Sequence, residues 1–163
     1  MSRPPSRYTQ ARNPKEADRS KLCVRRRRPD GLAELGRRAC ARAPACTHRA
    51  IDGALALVRE HPAKPEEIGQ IRVAISERFA TILRNHRPTT GREAKFSMEF
   101  AMASALVAHR VGLPELTDGF VPRGDVQALI ERVAIDATAE YAPDNSGAAP
   151  FDQVTVTLGS GVR

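Results

Sequence analysis

The stretch that decides the fold runs from Thr90 to Leu113 and reads TGREAKFSMEFAMASALVAHRVGL. Apolar residues keep helical spacing here for more than four turns, longer than anywhere else in the chain. Thr90 is suited to cap the helix, Glu93 to complete a capping box, and Gly112 to end it. The segment therefore predicts a single central helix. Its alanine-rich face would let a sheet or a second helix approach closely.

The periodicity on either side of this helix predicts an α+β fold. Apolar residues alternate in the candidate strands and recur every three or four residues in the candidate helices. Helices are expected to cover one face of a small, mostly antiparallel sheet. The predicted strands are 71–75, 133–137 and 153–158, and the predicted helices besides the central one are 31–40, 47–60, 77–84 and 124–131.

The last predicted strand is followed by Gly159-Ser160-Gly161, which is typical of a hairpin turn. Val162 and Arg163 are too few to form a returning strand. We therefore expect a domain truncated at its C-terminal hairpin. The strand from Val154 to Leu158 would then have an open edge, through which the chain would self-associate.

The net charge of +7 is concentrated in residues 1–30, where basic residues are frequent and prolines recur. Residues 31–163 are neutral and are expected to form the folded domain. The first 30 residues bury too little apolar surface to offset their ordering entropy, which predicts a disordered basic tail. A solvated tail, a leader from a misread gene start, a transit peptide and a nucleic-acid arm all remain open. Nucleic acid is an unlikely partner, since the domain itself has no basic surplus.

Cys23, Cys40 and Cys46 are unequally spaced and predict free thiols. His48 lies too close to Cys46 for the usual paired zinc ligands, so no metal is expected. No apolar run approaches the ~18 residues of a membrane helix. The sequence predicts a soluble, cytoplasmic protein with no membrane partner.

Two segments resemble the MmgE/PrpD family, which contains 2-methylcitrate dehydratases, cis-aconitate decarboxylases and iminodisuccinate epimerases. EAKFSMEFA at 93–101 is similar to the family's EAKFS helix, and CTHRAID at 46–52 is similar to its PxCxxTHxAIDA segment. The order and spacing of the segments from Phe120 onward also agree. The resemblance extends from about Pro44 to Leu158, and implies the α+β lid domain of such an enzyme.

The resemblance implies cofactor-free lyase or isomerase chemistry on a small di- or tricarboxylate, similar to that of 2-methylcitrate dehydratase. His48 is the expected catalytic residue, because it matches the histidine of the family segment and lies in the first turn of a predicted helix, where an anion can bind. Thr47, Arg42, Lys95 and Ser97 are the expected substrate-binding residues.

The chain also departs from the family pattern. The segment before His48 lacks the family's Tyr and Lys and is two residues shorter, and Phe100 stands where the decarboxylases have a Tyr. The large helical domain that completes the family's active site has no counterpart in the sequence. We expect the isolated chain to be inactive. The alternative is a non-catalytic interaction subunit that docks on a separate helical-domain chain or forms a homo-oligomer.

Overall fold

The computed structural model describes residues 21–27, 45–143 and 147–159. Short 3-10 turns at Ala45–Thr47 and Pro65–Glu67 precede the first long helix and the second strand. In chain order the elements are strand β1 (Lys21–Arg27), helix α1 (His48–Glu60), strand β2 (Ile68–Ser76), helices α2 (Glu77–Ile82), α3 (Gly91–Ala94), α4 (Met98–Ala108) and α5 (Gly124–Ile130), and strands β3 (Val133–Thr138) and β4 (Phe151–Leu158).

The described strands form one sheet in the order β1-β4-β2-β3. β4 runs antiparallel to both of its neighbours, β1 and β2, whereas β2 and β3 are parallel. A parallel pair needs a crossover connection, and helices α2 to α5 lie between β2 and β3 in the chain. The α+β class is confirmed, and the sheet is mixed rather than purely antiparallel.

Strand β1 corrects the prediction of a disordered tail over residues 1–30. Residues 21–27 all pair with β4, from Lys21↔Thr157 to Arg27↔Phe151. Val24 is buried in the core, and Leu22 packs against it. Leu22 and Val24 alternate with Lys21, Cys23 and Arg25, but the arginine content concealed this short strand pattern. The other predicted tail residues, 1–20 and 28–30, lie outside the described residues.

The same strand corrects the prediction of an open edge on β4. This strand lies inside the sheet, with β1 on one side and β2 on the other. Its backbone groups are therefore already paired, and self-association through that edge is not expected. The predicted helix at 31–40 and the hairpin turn beyond Gly159 lie outside the described residues.

One face of the sheet is apolar and faces the helices. Ile71, Val73 and Ile75 of β2 are completely buried, and Val154 and Val156 of β4 nearly so. Helix α1 packs against β1 and β4, and α4 packs against both α1 and α5. Every residue of α4 from 98 to 106 is buried, so the central position predicted for this helix is correct.

The predicted helix from 90 to 112 is divided in two. Thr90 caps α3, as predicted, by accepting a hydrogen bond from the Glu93 amide. Ser97 then has an extended backbone, and its hydroxyl accepts from the Phe100 amide, which starts α4 as a new helix. α4 ends where His109 adopts a left-handed backbone with φ 54°, before the Gly112 stop expected from the sequence.

The opposite face of the sheet carries no helix among the described residues. It contains an open depression of about 410 Å³, whose lining residues are polar except for Ala74. The residues of β2 that line the depression alternate with those that face the core, so the depression lies on the face of the sheet opposite to α1. It is lined by Lys21, Gln70, Arg72, Ala74, Asp136, Gln153, Thr155 and Thr157.

Candidate active site

His48 is the first residue of α1 and is partly exposed. Thr47 precedes it in the N-cap position but makes no side-chain capping hydrogen bond, and it is 1% exposed. The first turn of α1 contains no acidic residue that would neutralise the positive end of the helix dipole. The positive end of the helix dipole therefore favours an anion near His48.

A buried ion pair fixes this end of α1 to the sheet. The Arg49 guanidinium donates from Nε and Nη2 to the two carboxylate oxygens of Asp152, over 3.1 and 2.7 Å. Its Nη1 donates to the Ala149 carbonyl at 3.0 Å. The Asp152 side chain is only 1% exposed. A bidentate pair of this kind restricts orientation as well as distance, so it holds the turn that carries His48 at a defined place beside β4.

Burial dominates the electrostatics next to this pair. It raises the pKa of Asp152 from 3.8 to about 6, although the charge and hydrogen bonds of Arg49 act in the opposite direction. Burial also raises the pKa of the Cys46 thiol, and the nearby Asp152 charge adds to that effect. Cys46 is therefore a protonated thiol at neutral pH, which makes it a poor nucleophile or metal ligand.

Lys95 and Ser97 lie elsewhere, at the junction between α3 and α4. Lys95 is exposed, and its ammonium lies 5.5 Å from the centre of the Phe96 ring. Ser97 is 1% exposed. Its hydroxyl accepts from the Phe100 amide at 3.1 Å and donates to Glu99 Oε2 at 3.2 Å. The structure thus gives Ser97 a capping and positioning role, and substrate contact by this residue stays a prediction.

Glu99 and His86 complete a polar cluster that the sequence did not indicate. Glu99 is 5% exposed, and its Oε1 lies 2.7 Å from Nδ1 of His86. The His86 side chain is 65% exposed. Glu99 lies within the EAKFS-like segment, two residues after a helix cap, which is a weak signal. His86 belongs to an irregular loop, and only the tertiary fold brings it to Glu99.

Phe100 packs in the core and does not face solvent. It is 1% exposed, and its ring meets that of Phe120 edge to face at a centroid distance of 6.2 Å. An apolar ring suits this site, which is consistent with the absence of a tyrosine hydroxyl here.

The predicted site residues thus fall at two places. Thr47 and His48 lie at the start of α1, and Lys95 and Ser97 at the start of α4, two helices that pack against each other. Arg42 lies outside the described residues. The depression on the sheet contains none of these residues, and its polar lining is the solvated face of the sheet.

Two further observations concern the described part of the chain. No group of three or more His, Cys, Asp or Glu side chains there is arranged to hold a metal ion. Within the same ranges, no helix is long and apolar enough to cross a membrane.

Comparison with protein families gives one match, to the MmgE/PrpD C-terminal domain, over residues 43–163. The matched range includes His48, Lys95 and Ser97, as well as the loop that carries His86. A search of curated proteins found no match.

Proposed function

Since this chain belongs to the MmgE/PrpD family, whose C-terminal domain it carries at residues 43–163, we propose that it forms one wall of an active site for small di- or tricarboxylates. The reaction is a cofactor-free elimination or isomerisation, similar to that of 2-methylcitrate dehydratase. The opposing wall is a helical domain of the same family. We expect the C-terminal domain to have this role whether the helical domain belongs to the same polypeptide or to a separate one.

The position of His48 carries the proposal. A base that removes a proton next to a carboxylate must be accessible, oriented and close to groups that hold the anion. His48 is partly exposed at the first residue of a 13-residue helix, and the Arg49–Asp152 pair anchors the turn that contains it. The positive end of the helix dipole would attract a substrate carboxylate, and the imidazole would take the proton.

The remaining predicted residues have supporting roles in this proposal. Lys95 is exposed and would supply a positive charge to a second carboxylate. Ser97 is buried and would hold the start of α4 in place. Thr47 is buried beside His48 and would orient that turn. Arg42 keeps its predicted role in substrate binding. It can supply charge but cannot transfer a proton, because its guanidinium remains protonated at every relevant pH.

Reconstitution with a helical domain tests the proposal. The full chain is mixed with the helical domain of another MmgE/PrpD protein, and dehydration of 2-methylcitrate is measured. We expect no turnover by the chain alone and turnover by the complex. His48→Gln should lower kcat by about 10²–10⁴, the usual contribution of a general base. His61→Gln, an exposed histidine after the other end of α1, is the matched control and should change nothing.

Two results would contradict this proposal. One is turnover by the isolated chain that is lost in His48→Gln, because the domain would then be a complete enzyme. The other is an active complex in which His48→Gln is as fast as the wild type, because the base would then be another residue.

A non-catalytic interaction subunit is the second candidate, and exposed apolar side chains favour it. Ile82, Phe96, Leu113 and Tyr141 are between 38% and 56% exposed, and a partner that covers several of them would bury apolar surface. Light scattering of the mixture separates the two candidates. A stable complex with no turnover of 2-methylcitrate, citrate or cis-aconitate would favour the interaction subunit. Light scattering of the chain alone would show whether it forms a homo-oligomer.

A further inference from the structure

Dehydration and epimerisation each need more than one proton transfer. A proton leaves the carbon next to a carboxylate, and another is delivered to the departing hydroxyl or to the opposite face of that carbon. His48 would supply one of these transfers. The proposal made here rests on the proposed function and identifies a second group.

We propose that His86, oriented by Glu99, is a second proton-transfer residue of this domain and that it acts on the same polycarboxylate substrate. The loop of His86 and the first turn of α4 meet at this point, where Nδ1 lies 2.7 Å from Glu99 Oε1. Glu99 is the positioning residue, and Nε2 of His86 is the atom that takes or gives the proton.

The contact with Glu99 determines which ring nitrogen is available. In the proposed arrangement Glu99 is an ionised carboxylate that accepts this hydrogen bond, and Nδ1 of His86 carries the proton. In the neutral ring, Nε2 then holds the free electron pair. A carboxylate that binds one nitrogen while the other faces a reactant is a recurring arrangement in acid–base catalysis.

Glu99 is itself held firmly. Its residue exposure is 5%, and its second oxygen, Oε2, accepts from the Ser97 hydroxyl at 3.2 Å. Both oxygens are therefore engaged, and the backbone of α4 is fixed in the core. The ring of His86 is consequently oriented before any ligand arrives. Its 65% exposure leaves it accessible to a substrate.

The chemistry balances without a cofactor. Nε2 takes the proton as the C–H bond breaks, and the ring becomes an imidazolium whose charge the Glu99 carboxylate stabilises. The electron pair left on carbon forms a double bond and expels the hydroxyl, which leaves as water after it accepts a proton. In an epimerisation the electron pair on carbon instead accepts a proton from the opposite face of that carbon. The proposal requires that His86 supply one of these two transfers and His48 the other.

The first test observes the ring itself and does not need activity. The full chain is labelled with nitrogen-15 at its histidines, and the His86 signals are assigned by comparison with His86→Gln. At pH 8 we expect a protonated Nδ1 and a free Nε2. Glu99→Leu, which removes the acceptor without adding bulk, should abolish that preference. A protonated Nε2 in the wild type, or no change in Glu99→Leu, would overturn the proposal.

The second test uses the complex with the helical domain and 2-methylcitrate as substrate. His86→Gln should lower kcat by about 10²–10⁴ with little change in KM. Glu99→Gln preserves shape and hydrogen bonding but removes the charge that stabilises the imidazolium, and should lower kcat about tenfold. His61→Gln should leave both constants unchanged.

The outcomes separate the two proposals. If the wild-type complex turns over and His86→Gln is equally fast, the inference about His86 is wrong while the proposed function stands. If the wild-type complex is inactive on 2-methylcitrate, citrate and cis-aconitate, the proposed function fails and the role of His86 fails with it. If His86→Gln raises KM alone, His86 binds substrate without transferring a proton, and the inference is again wrong.

Discussion

Strand β1 provides a quantitative test of the fold, because the sequence predicted no structure there. Val24 is 8% exposed and belongs to the main core cluster. Val24→Ala removes two methyl carbons, and each is worth about 0.8 kcal/mol of transfer free energy. The cavity that remains adds to this loss. We therefore expect the free energy of unfolding to fall by about 2 kcal/mol.

Urea unfolding followed by circular dichroism measures this change, with Lys21→Ala as the control. Lys21 belongs to the same strand but is exposed, so its substitution should stay within about 0.5 kcal/mol. If Val24→Ala were as stable as Lys21→Ala, β1 would not be packed in the sheet. The reasoning about both the tail and the edge of β4 would then be refuted.

Two further predictions concern stability. Arg49→Met should cost about 3–5 kcal/mol at pH 8, where it leaves a buried carboxylate unpaired. The cost should be smaller at pH 5, because the pKa of Asp152 is raised from 3.8 to about 6. Between pH 3.8 and about 6 the folded state holds a proton on Asp152 that the unfolded chain has lost. The contribution of Asp152 to stability therefore decreases as pH rises through this range. Equal losses in urea unfolding at pH 5 and pH 8 would contradict this. Gly91→Ala should lower stability by about 1–3 kcal/mol, because its Cβ would clash with the Leu116 carbonyl oxygen. Gly124→Ala has open space around its Cβ, and a thermal melt should show no loss for it.

Most helices and strands were predictable because their signals are local. The alternation in 71–75 arises because successive side chains of a strand face opposite sides of the sheet, and the spacing in 124–131 because every third or fourth residue of a helix faces the core. The corresponding elements, β2 and α5, were found at those places. The break between α3 and α4 was missed because the apolar spacing continues across it. The serine that restarts the helix acts through its own hydroxyl and backbone, which a count of apolar positions does not register.

The candidate site was predicted only in part, for a related reason. His48 was identified from a motif and from its place at a helix start, both of which are read along the chain. Its anchor, Arg49 with Asp152, joins residues 103 positions apart. The contact between His86 and Glu99 likewise crosses from a loop to a helix. No sequence pattern indicates that Arg49 meets Asp152 or that His86 meets Glu99.

The sequence by itself determined the α+β class, most of the elements and the resemblance to MmgE/PrpD proteins, because periodicity and motifs are properties of neighbouring residues. Only the tertiary structure decided that residues 21–27 join the sheet, that β4 lies inside it, and that His86 meets Glu99. These features depend on strand pairing and burial between distant parts of the chain. Their free energy comes from contacts that form only when the whole domain has folded.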